Sequence, residues 1–219
     1  MTQFKICGLN DFRNASAAIE AGADFLGFVF VPDTRRQILV EKARDIIQEC
    51  RKQYRSDCPR IVGLFADQPL KEINHTIKTC GLNFAQLCGE EAPSYWELVD
   101  SDVIKQIRVG DAESLSELVS DVRHQIGLVV GRGCTPLLDK NEPGLLGGTG
   151  STFNWRIAAG VSSDYDLFLA GGLTPGNVGQ AIETSSPWGV DVSSGVEENG
   201  EKTPGKIRAF ALAVRQADR

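Results

Sequence analysis

Two side chains that could move protons stand near the ends of apolar, strand-like stretches of the sequence. Cys7 lies at the end of the stretch FKICG, and Asp139 lies at the end of the run TPLLDK. A thiolate can take up a proton and a carboxylic acid can donate one, so the pair would suit general acid–base catalysis. Each residue alone has a plainer explanation, because cysteine packs as a small hydrophobic side chain and aspartate often forms a turn or caps a helix.

Two later stretches end in small residues instead of titratable ones. The run YDLFLAGGL places Gly171 and Gly172 after a strand, and WGVDVSSG ends in Ser193, Ser194 and Gly195. Glycine allows the backbone to approach an anion closely, and the loops after the last two strands of a parallel barrel often bind phosphate through N–H groups. Two such loops in succession predict a phosphate site, whereas one alone would predict only a tight turn.

The elements that must position these residues recur as strand-like runs, each followed by a loop and a helix-like segment. In order, the strand-like runs are FKICG, DFLGFVFV, RIVGLFAD, FAQLCG, DVIKQIRV, TPLLDK, YDLFLAGGL and WGVDVSSG. Dividing 219 residues by eight gives about 27 per unit, enough for a right-handed crossover. We predict a (β/α)8 TIM barrel, with eight parallel strands and outer helices, formed by one domain over residues 1–219. The alternative is a doubly wound open sheet with one unit miscounted, and GLVVGRG (127–133) could be a further strand.

Side-chain alternation predicts which residues face the same side of their strands. Asp139 shares a face with Leu137, Lys5 with Cys7, and Asp191 with Ser193. In a barrel the active site lies at the carboxyl ends of the strands, so all of these ends would meet there. A lysine beside Cys7 is expected to lower the pKa of the thiol.

Composition limits the classes of function. The net charge of −6 argues against nucleic-acid binding, and the longest apolar run, FLGFVFV, is too short to span a membrane. Six cysteines without a CxxC pair and two distant histidines predict reduced thiols, a cytoplasmic location and no metal site. The acidic run EENGE (197–201) is expected to be a solvated loop.

Seven stretches together resemble the phosphoribosylanthranilate isomerase family of tryptophan biosynthesis. They are KICGL, ADFLGFVFVPDTRR, VGLF, AQLCGEE, LLDK with GGTGSTFNW, LAGGLTPGNV and GVDVSSGVEENGEKTPGKI. The likeness runs in order from the first strand into the final helix. It implies an Amadori rearrangement of N-(5-phosphoribosyl)anthranilate to a carboxyphenylamino-deoxyribulose phosphate. By position, Asp139 resembles the general acid that protonates the ribose ring oxygen, and Cys7 resembles the base that takes the proton from the adjacent carbon.

The resemblance also implies the residues that bind the substrate. Arg36 matches an arginine that holds the anthranilate carboxylate, although Arg35 stands beside it, and Asp191 matches a substrate-contacting aspartate. The phosphate cradle would consist of Gly172, Ser194 and Gly195. No metal or organic cofactor is implied, because the iminium intermediate is itself the electron sink. The expected partner is a small phosphoribosyl substrate, and the chain would be a monomer or homodimer. The sequence does not tell whether a loop closes over the substrate, and the long loop after the sixth strand is the best candidate for such a loop.

One departure and two rival functions remain open from the sequence. The family commonly reads QLHG after the fourth strand, where this chain has QLCG, so Cys88 stands in place of a histidine and a polar substrate contact is in doubt. One rival is another phosphate-binding barrel enzyme of amino-acid biosynthesis, such as a related phosphoribosyl isomerase. The other is a non-catalytic phosphate-binding barrel, which would have no reason to combine Cys7, Asp139 and Arg36.

Overall fold

A computed structural model describes residues 1–110, 114–140 and 152–219. Eight parallel strands form a closed barrel in the order of the chain, β1 to β8, which confirms the predicted TIM barrel. Their bounds are Gln3–Ile6, Phe25–Val29, Arg60–Phe65, Phe84–Leu87, Asp102–Val109, Thr135–Lys140, Phe168–Leu169 and Gly189–Val192. The helices α1 to α8 are Phe12–Glu20, Val40–Tyr54, Leu70–Cys80, Pro93–Trp96, Leu115–Val130, Arg156–Ser162, Val178–Ser185 and Pro204–Ala217.

Polar side chains at the helix starts explain several of these boundaries. Asp11 caps α1 by accepting a hydrogen bond from the Asn14 N–H at 2.8 Å, and Thr203 caps α8 in the same way. Helix α5 continues through Val130, so the possible strand in GLVVGRG is wrong. The hydrophobic face of α5, which buries Val122, Ile126 and Val129, favours the helix over a strand there.

The inside of the barrel has an apolar layer below a polar one. Phe25, Val62, Ile104, Leu137, Phe168 and Ala170 form the inner cluster, which is separate from the larger core between barrel and helices. Two residues further along β5 and β6, on the same faces as Ile104 and Leu137, stand Gln106 and Asp139. The apolar layer closes the amino-terminal end of the barrel, and the polar layer opens towards the carboxyl ends of the strands.

A short hairpin follows β8 and carries the acidic run that the sequence predicted to be a solvated loop. Its strands are β9, Glu197–Glu198, and β10, Glu201–Lys202, paired antiparallel. The two residues between them, Asn199 and Gly200, have φ of 51° and 84°, the left-handed region that a two-residue hairpin turn requires. The Asn-Gly pair was the signal in the sequence for this turn.

Candidate active site

A cavity of about 560 Å³ opens at the carboxyl end of the barrel. It brings together six of the seven residues that the sequence and the resemblance single out: Cys7, Arg36, Asp139, Gly172, Asp191 and Ser194. Gly195, the seventh, follows Ser194 and packs behind the cavity wall against the loop after β7. The long loop after β6, the best candidate for a loop that closes over the substrate, lies outside the described residues.

Cys7 directly follows the last residue of β1, and its side chain is buried, with 3% of the residue exposed. Burial raises the pKa of its thiol, and Asp191 acts in the same direction, while Lys5 and Lys202 oppose the shift. The expectation that Lys5 gives Cys7 a lowered pKa is therefore wrong, because the loss of hydration outweighs the attraction of the lysines. The thiolate is less abundant than at an exposed cysteine but is a stronger base once formed.

Lys5 is completely buried, and its ammonium group pairs with Asp191 at 3.0 Å. The two residues are register partners on the neighbouring strands β1 and β8. Burial by itself would lower the pKa of Lys5, but Asp191 and Cys7 raise it well above its ordinary value. Lys5 is therefore a fixed positive charge beneath the cavity, and it holds the Asp191 side chain in place through the ion pair.

Asp139 is 8% exposed and has both carboxylate oxygens hydrogen-bonded. Its Oδ1 accepts from the Lys140 N–H at 2.8 Å, and its Oδ2 accepts from Gln106 Nε2 at 2.8 Å. Burial, followed by the charge of Asp191, raises the pKa of Asp139 to about 6, although both hydrogen bonds and Lys5 oppose the shift. A carboxyl group with this pKa is able to carry a proton near neutral pH and to donate it.

Arg36 is more buried than Arg35 and lies beside the loop that follows β1. The side chain of Arg36 is 18% exposed and its Cδ passes beside Gly8, whereas the side chain of Arg35 is 53% exposed and bonds the Gly200 carbonyl. Glu197 accepts from Arg36 Nε at 2.7 Å and from Nη2 at 3.2 Å. This occupies one edge of the guanidinium group and leaves the edge formed by Nη1 and Nη2 for a ligand carboxylate.

Glu197 was missed as a functional residue, because its acidic run was expected to be solvated. Its side chain is only 7% exposed and also contacts Arg35 at 2.6 Å and Lys202 Nζ at 3.2 Å. Burial would raise the pKa of Glu197, but hydrogen bonds from Arg36 and Arg35 and the charge of Lys202 lower it to about 2. Glu197 is thus an ionised anchor for the basic groups at the cavity mouth.

The loops after β7 and β8 meet where the phosphate site was predicted. Gly171 and Gly172 have φ of 86° and 61°, a backbone that side chains disfavour. Asn177 holds this turn by donating to the Gly172 carbonyl at 3.0 Å and accepting from the Thr174 N–H at 2.7 Å. A Cβ on Gly195 would lie 1.9 Å from the Leu173 carbonyl oxygen, so the two loops approach this closely only because residue 195 is glycine.

Cys88 lines the same cavity and is 3% exposed. Gln86 Nε2 contacts its sulfur at 3.5 Å, and burial raises the pKa of the thiol to about 12. The position that would carry a histidine in the resembling family is therefore neutral and weakly polar in this chain. Gln106 on β5 also lines the cavity, and because it belongs to none of the motifs it gave no signal in the sequence.

The described residues contain neither a metal-binding cluster nor a helix that could span a membrane. Across residues 1–110, 114–140 and 152–219, no group of three or more His, Cys, Asp or Glu side chains is arranged to hold a metal ion. In the same part of the chain, no helix has the length and apolar character needed to cross a membrane.

Comparison with known proteins gives a consistent result. The family model for N-(5'-phosphoribosyl)anthranilate (PRA) isomerase matches residues 4–213. N-(5'-phosphoribosyl)anthranilate isomerase of Pelobacter propionicus is 43% identical over 217 residues, which cover 99% of this chain and 97% of the relative.

Two solved structures have the same fold over their whole length. One, described as monomers of the dimeric phosphoribosylanthranilate isomerase from Thermotoga maritima, is 30% identical with a TM-score of 0.79, covering 99% of this chain and 100% of that one. The other is a phosphoribosyl anthranilate isomerase in complex with reduced 1-(o-carboxyphenylamino)-1-deoxyribulose 5-phosphate. It has the same identity, coverage and TM-score.

Proposed function

The chain belongs to the N-(5'-phosphoribosyl)anthranilate isomerase family and is an isomerase of tryptophan biosynthesis, and we propose that Asp139 and Cys7 are the general acid and the general base of its reaction. The observation that carries this proposal is their shared cavity. Asp139 on β6 and Cys7 after β1 line it from different sides, and both are buried. Proton transfer in such a site is efficient because the groups are fixed and water is largely excluded.

Asp139 acts in the first half of the reaction. Its proton passes to the ribose ring oxygen, the bond between that oxygen and C1 breaks, and the nitrogen lone pair forms a C1=N iminium. The raised pKa of Asp139, about 6, supplies the protonated form, and the Lys140 N–H and Gln106 then stabilise the carboxylate that remains.

Cys7 acts in the second half. The thiolate removes the proton on C2, and the electrons of that bond form C1=C2 while the iminium nitrogen becomes neutral. The enolamine then gains a proton at C1 and loses its hydroxyl proton, which gives the ketone. Lys5 and Lys202 lower the free energy needed to form the thiolate in this buried place.

Binding groups on the cavity wall would hold both ends of the substrate. Arg36 presents its free edge to the anthranilate carboxylate, since Glu197 occupies the other edge. Gly172, Ser194 and Gly195 hold the phosphate through the two loops that converge at Leu173. Asp191, held by Lys5, contacts the ribose.

The test is turnover of N-(5'-phosphoribosyl)anthranilate by the wild type and by Cys7→Ser and Asp139→Asn, with folding checked by circular dichroism. We expect each variant to lose about 10²–10⁴-fold in kcat. Cys58→Ser and Asp45→Asn are matched controls, because Cys58 lies outside the cavity and Asp45 is exposed on α2. Activity within tenfold of the wild type in a folded Cys7 or Asp139 variant would remove that residue from its role.

We also propose the domain organisation, the cellular location and the oligomeric state of this isomerase. We infer a single domain over residues 1–219, because the family match spans residues 4–213. A cytoplasmic location is supported by six free thiols. A monomer or a homodimer is expected, and light scattering on the purified chain decides between them.

A further inference from the structure

Gln106 is a polar side chain of the cavity that belongs to no sequence motif, and the proposed function uses its amide nitrogen but not its amide oxygen. It lies on β5 and is 7% exposed. Because Ile104, two residues earlier, belongs to the inner apolar cluster, Gln106 faces the same side of its strand, towards the cavity it lines.

The amide nitrogen of Gln106 is fixed by the proposed general acid. Its Nε2 donates to Asp139 Oδ2 at 2.8 Å, while Asp139 Oδ1 is held by the Lys140 N–H. The β5–β6 register pairs Gln106 with Leu137, two residues before Asp139, so the contact reaches diagonally along the barrel wall. The general acid is therefore oriented by one main-chain and one side-chain donor.

The amide oxygen of Gln106 is buried and, within the described part of the chain, has no hydrogen-bond partner. A buried carbonyl oxygen without a partner is unfavourable, and such groups usually mark the place of a missing donor. The substrate supplies suitable donors, because its ribose carries hydroxyl groups beside the carbons that react. The neighbouring strand β4 supplies no strong donor to this amide oxygen. Continuing the Leu87–Lys105 register by one residue brings Cys88, whose thiol is a weak donor, beside Gln106.

We propose that Gln106 is a positioning residue that links the general acid to the substrate, holding Asp139 through Nε2 and accepting a hydrogen bond from a ribose hydroxyl through Oε1. The proposal rests on the acid role of Asp139. An amide suits both tasks because it carries a donor and an acceptor on one rigid plane. The substrate and the acid are then fixed relative to each other through a single side chain.

The charged groups around Asp139 give this link a measurable consequence. Asp191 favours the protonated carboxyl group, whereas Lys5, the Lys140 N–H and Gln106 favour the carboxylate. Removal of the Gln106 donor therefore raises the pKa of Asp139, by about one unit for a hydrogen bond to a charged group. A residue that serves only to fill space would not produce this shift.

The experiment compares Gln106→Met and Gln106→Glu with the wild type in the full-length enzyme. Met keeps the length of the side chain and removes both polar atoms, and Glu keeps the shape but replaces the donor with an acceptor. The readouts are the Asp139 pKa from carboxyl ¹³C NMR, assigned with Asp139→Asn, and KM and kcat for N-(5'-phosphoribosyl)anthranilate. Gln125→Met is the matched control, because Gln125 lies on α5, does not line the cavity and donates its side-chain hydrogen bond to Asp121 at 2.8 Å.

We expect Gln106→Met to raise the Asp139 pKa by about one unit and KM by about tenfold. In Gln106→Glu the two carboxyl groups would titrate as a pair, with the higher apparent pKa above that of Asp139 in the wild type. An Asp139 pKa within about 0.3 unit of the wild type, or a KM within twofold in Gln106→Met, overturns the proposal. If Gln106→Met does not fold, the absence of an upward shift in Gln106→Glu overturns it.

The same set of variants distinguishes a failure of this inference from a failure of the proposed function. Full activity in Asp139→Asn would remove the acid role and with it the basis for a link through Gln106. An inactive Asp139→Asn beside a Gln106→Met variant that behaves like the wild type would overturn the role of Gln106 alone.

Discussion

Lys5 and Asp191 stand opposite each other on β1 and β8, and their side chains form a 3.0 Å ion pair in the floor of the cavity. The lysine is completely buried, and its charge also acts on Cys7 and on Asp139. One cation is therefore shared by three groups that become negative when they lose a proton. This sharing connects the stability of the barrel to the proton transfers proposed at its mouth.

Removing Lys5 alone should be costly. Lys5→Met leaves the Asp191 carboxylate buried without its partner, and we expect the free energy of unfolding to fall by about 3–5 kcal/mol in urea titrations at pH 7. The double variant Lys5→Met/Asp191→Leu removes both charges and should recover most of that loss. Equal losses in the single and double variants would mean that packing, and not the unpaired charge, sets the effect.

The pH dependence of kcat/KM should show a broad plateau. Asp139 must be protonated and has a pKa of about 6, whereas Cys7 must be ionised and has a pKa above its usual value of 9.0. The product of these two fractions rises up to about pH 6, stays constant, and falls above the pKa of Cys7. The form with Asp139 protonated and Cys7 ionised is thus a minor fraction of the enzyme at every pH. Steady-state rates from pH 4 to 11 test this expectation. A narrow optimum below pH 6 would contradict the assignment.

Asp139 should reduce the stability of the fold. Its pKa rises from 3.8 unfolded to about 6 folded, so the native state binds more protons between these values and stability decreases as the pH rises through them. Asp139→Asn should therefore unfold at higher denaturant concentration at pH 8, with a gain of about 1–3 kcal/mol. At pH 4 the gain should be small, and a variant that is less stable at pH 8 would contradict this.

Glu197→Gln tests whether the buried glutamate orients Arg36. Without the carboxylate, the guanidinium group loses its fixed edge, and we expect KM to rise about tenfold while kcat changes less. The pKa of Glu197 is lowered from 4.5 to about 2, so its contribution to stability is complete above pH 4.5 and is lost as the pH falls towards 2. The stability difference between wild type and variant should shrink over that range. Glu198→Gln, on the exposed side of the same hairpin, is the control.

Gly195→Ala should separate the two loops of the phosphate site. The added Cβ would meet the Leu173 carbonyl oxygen at 1.9 Å, so the backbone must shift, and we expect KM to rise at least about tenfold. Gly179→Ala in α7 is the matched control, because a Cβ there meets nothing within 4 Å and alanine favours the helix. Unchanged KM and unchanged binding of inorganic phosphate in Gly195→Ala would place the phosphate elsewhere.

The sequence was sufficient for the architecture and for predicting which side chains share a face of a strand, although it indicated no role for Gln106 on β5. Alternation along TPLLDK predicted that Asp139 shares a face with Leu137, and the structure shows that this face is the inner one, because Leu137 belongs to the inner cluster and Asp139 lines the cavity. The glycine-rich ends of the last two strands likewise indicated adjacent loops. These features depend on local periodicity, which a single sequence contains.

What the sequence could not supply depends on contacts between distant residues. The pKa of Cys7 follows from how completely it is buried, and this outweighs the lysine two positions away. The contact of Glu197 with Arg36 joins residues 161 positions apart, and that of Gln106 with Asp139 joins two strands. No motif within either segment predicts such a pairing, although Asn199-Gly200 could have indicated the hairpin that carries Glu197.

The late position of β8 and its hairpin in the sequence has a consequence for folding during synthesis. Arg36 leaves the ribosome early and Glu197 late, and the same is true of Lys5 and Asp191, which are 186 positions apart. Most of the barrel can be synthesised before either partner exists, so the mouth of the cavity is completed only when the eighth unit docks. A nascent chain that stops before β8 would carry Cys7 and Lys5 in surroundings that cannot support catalysis.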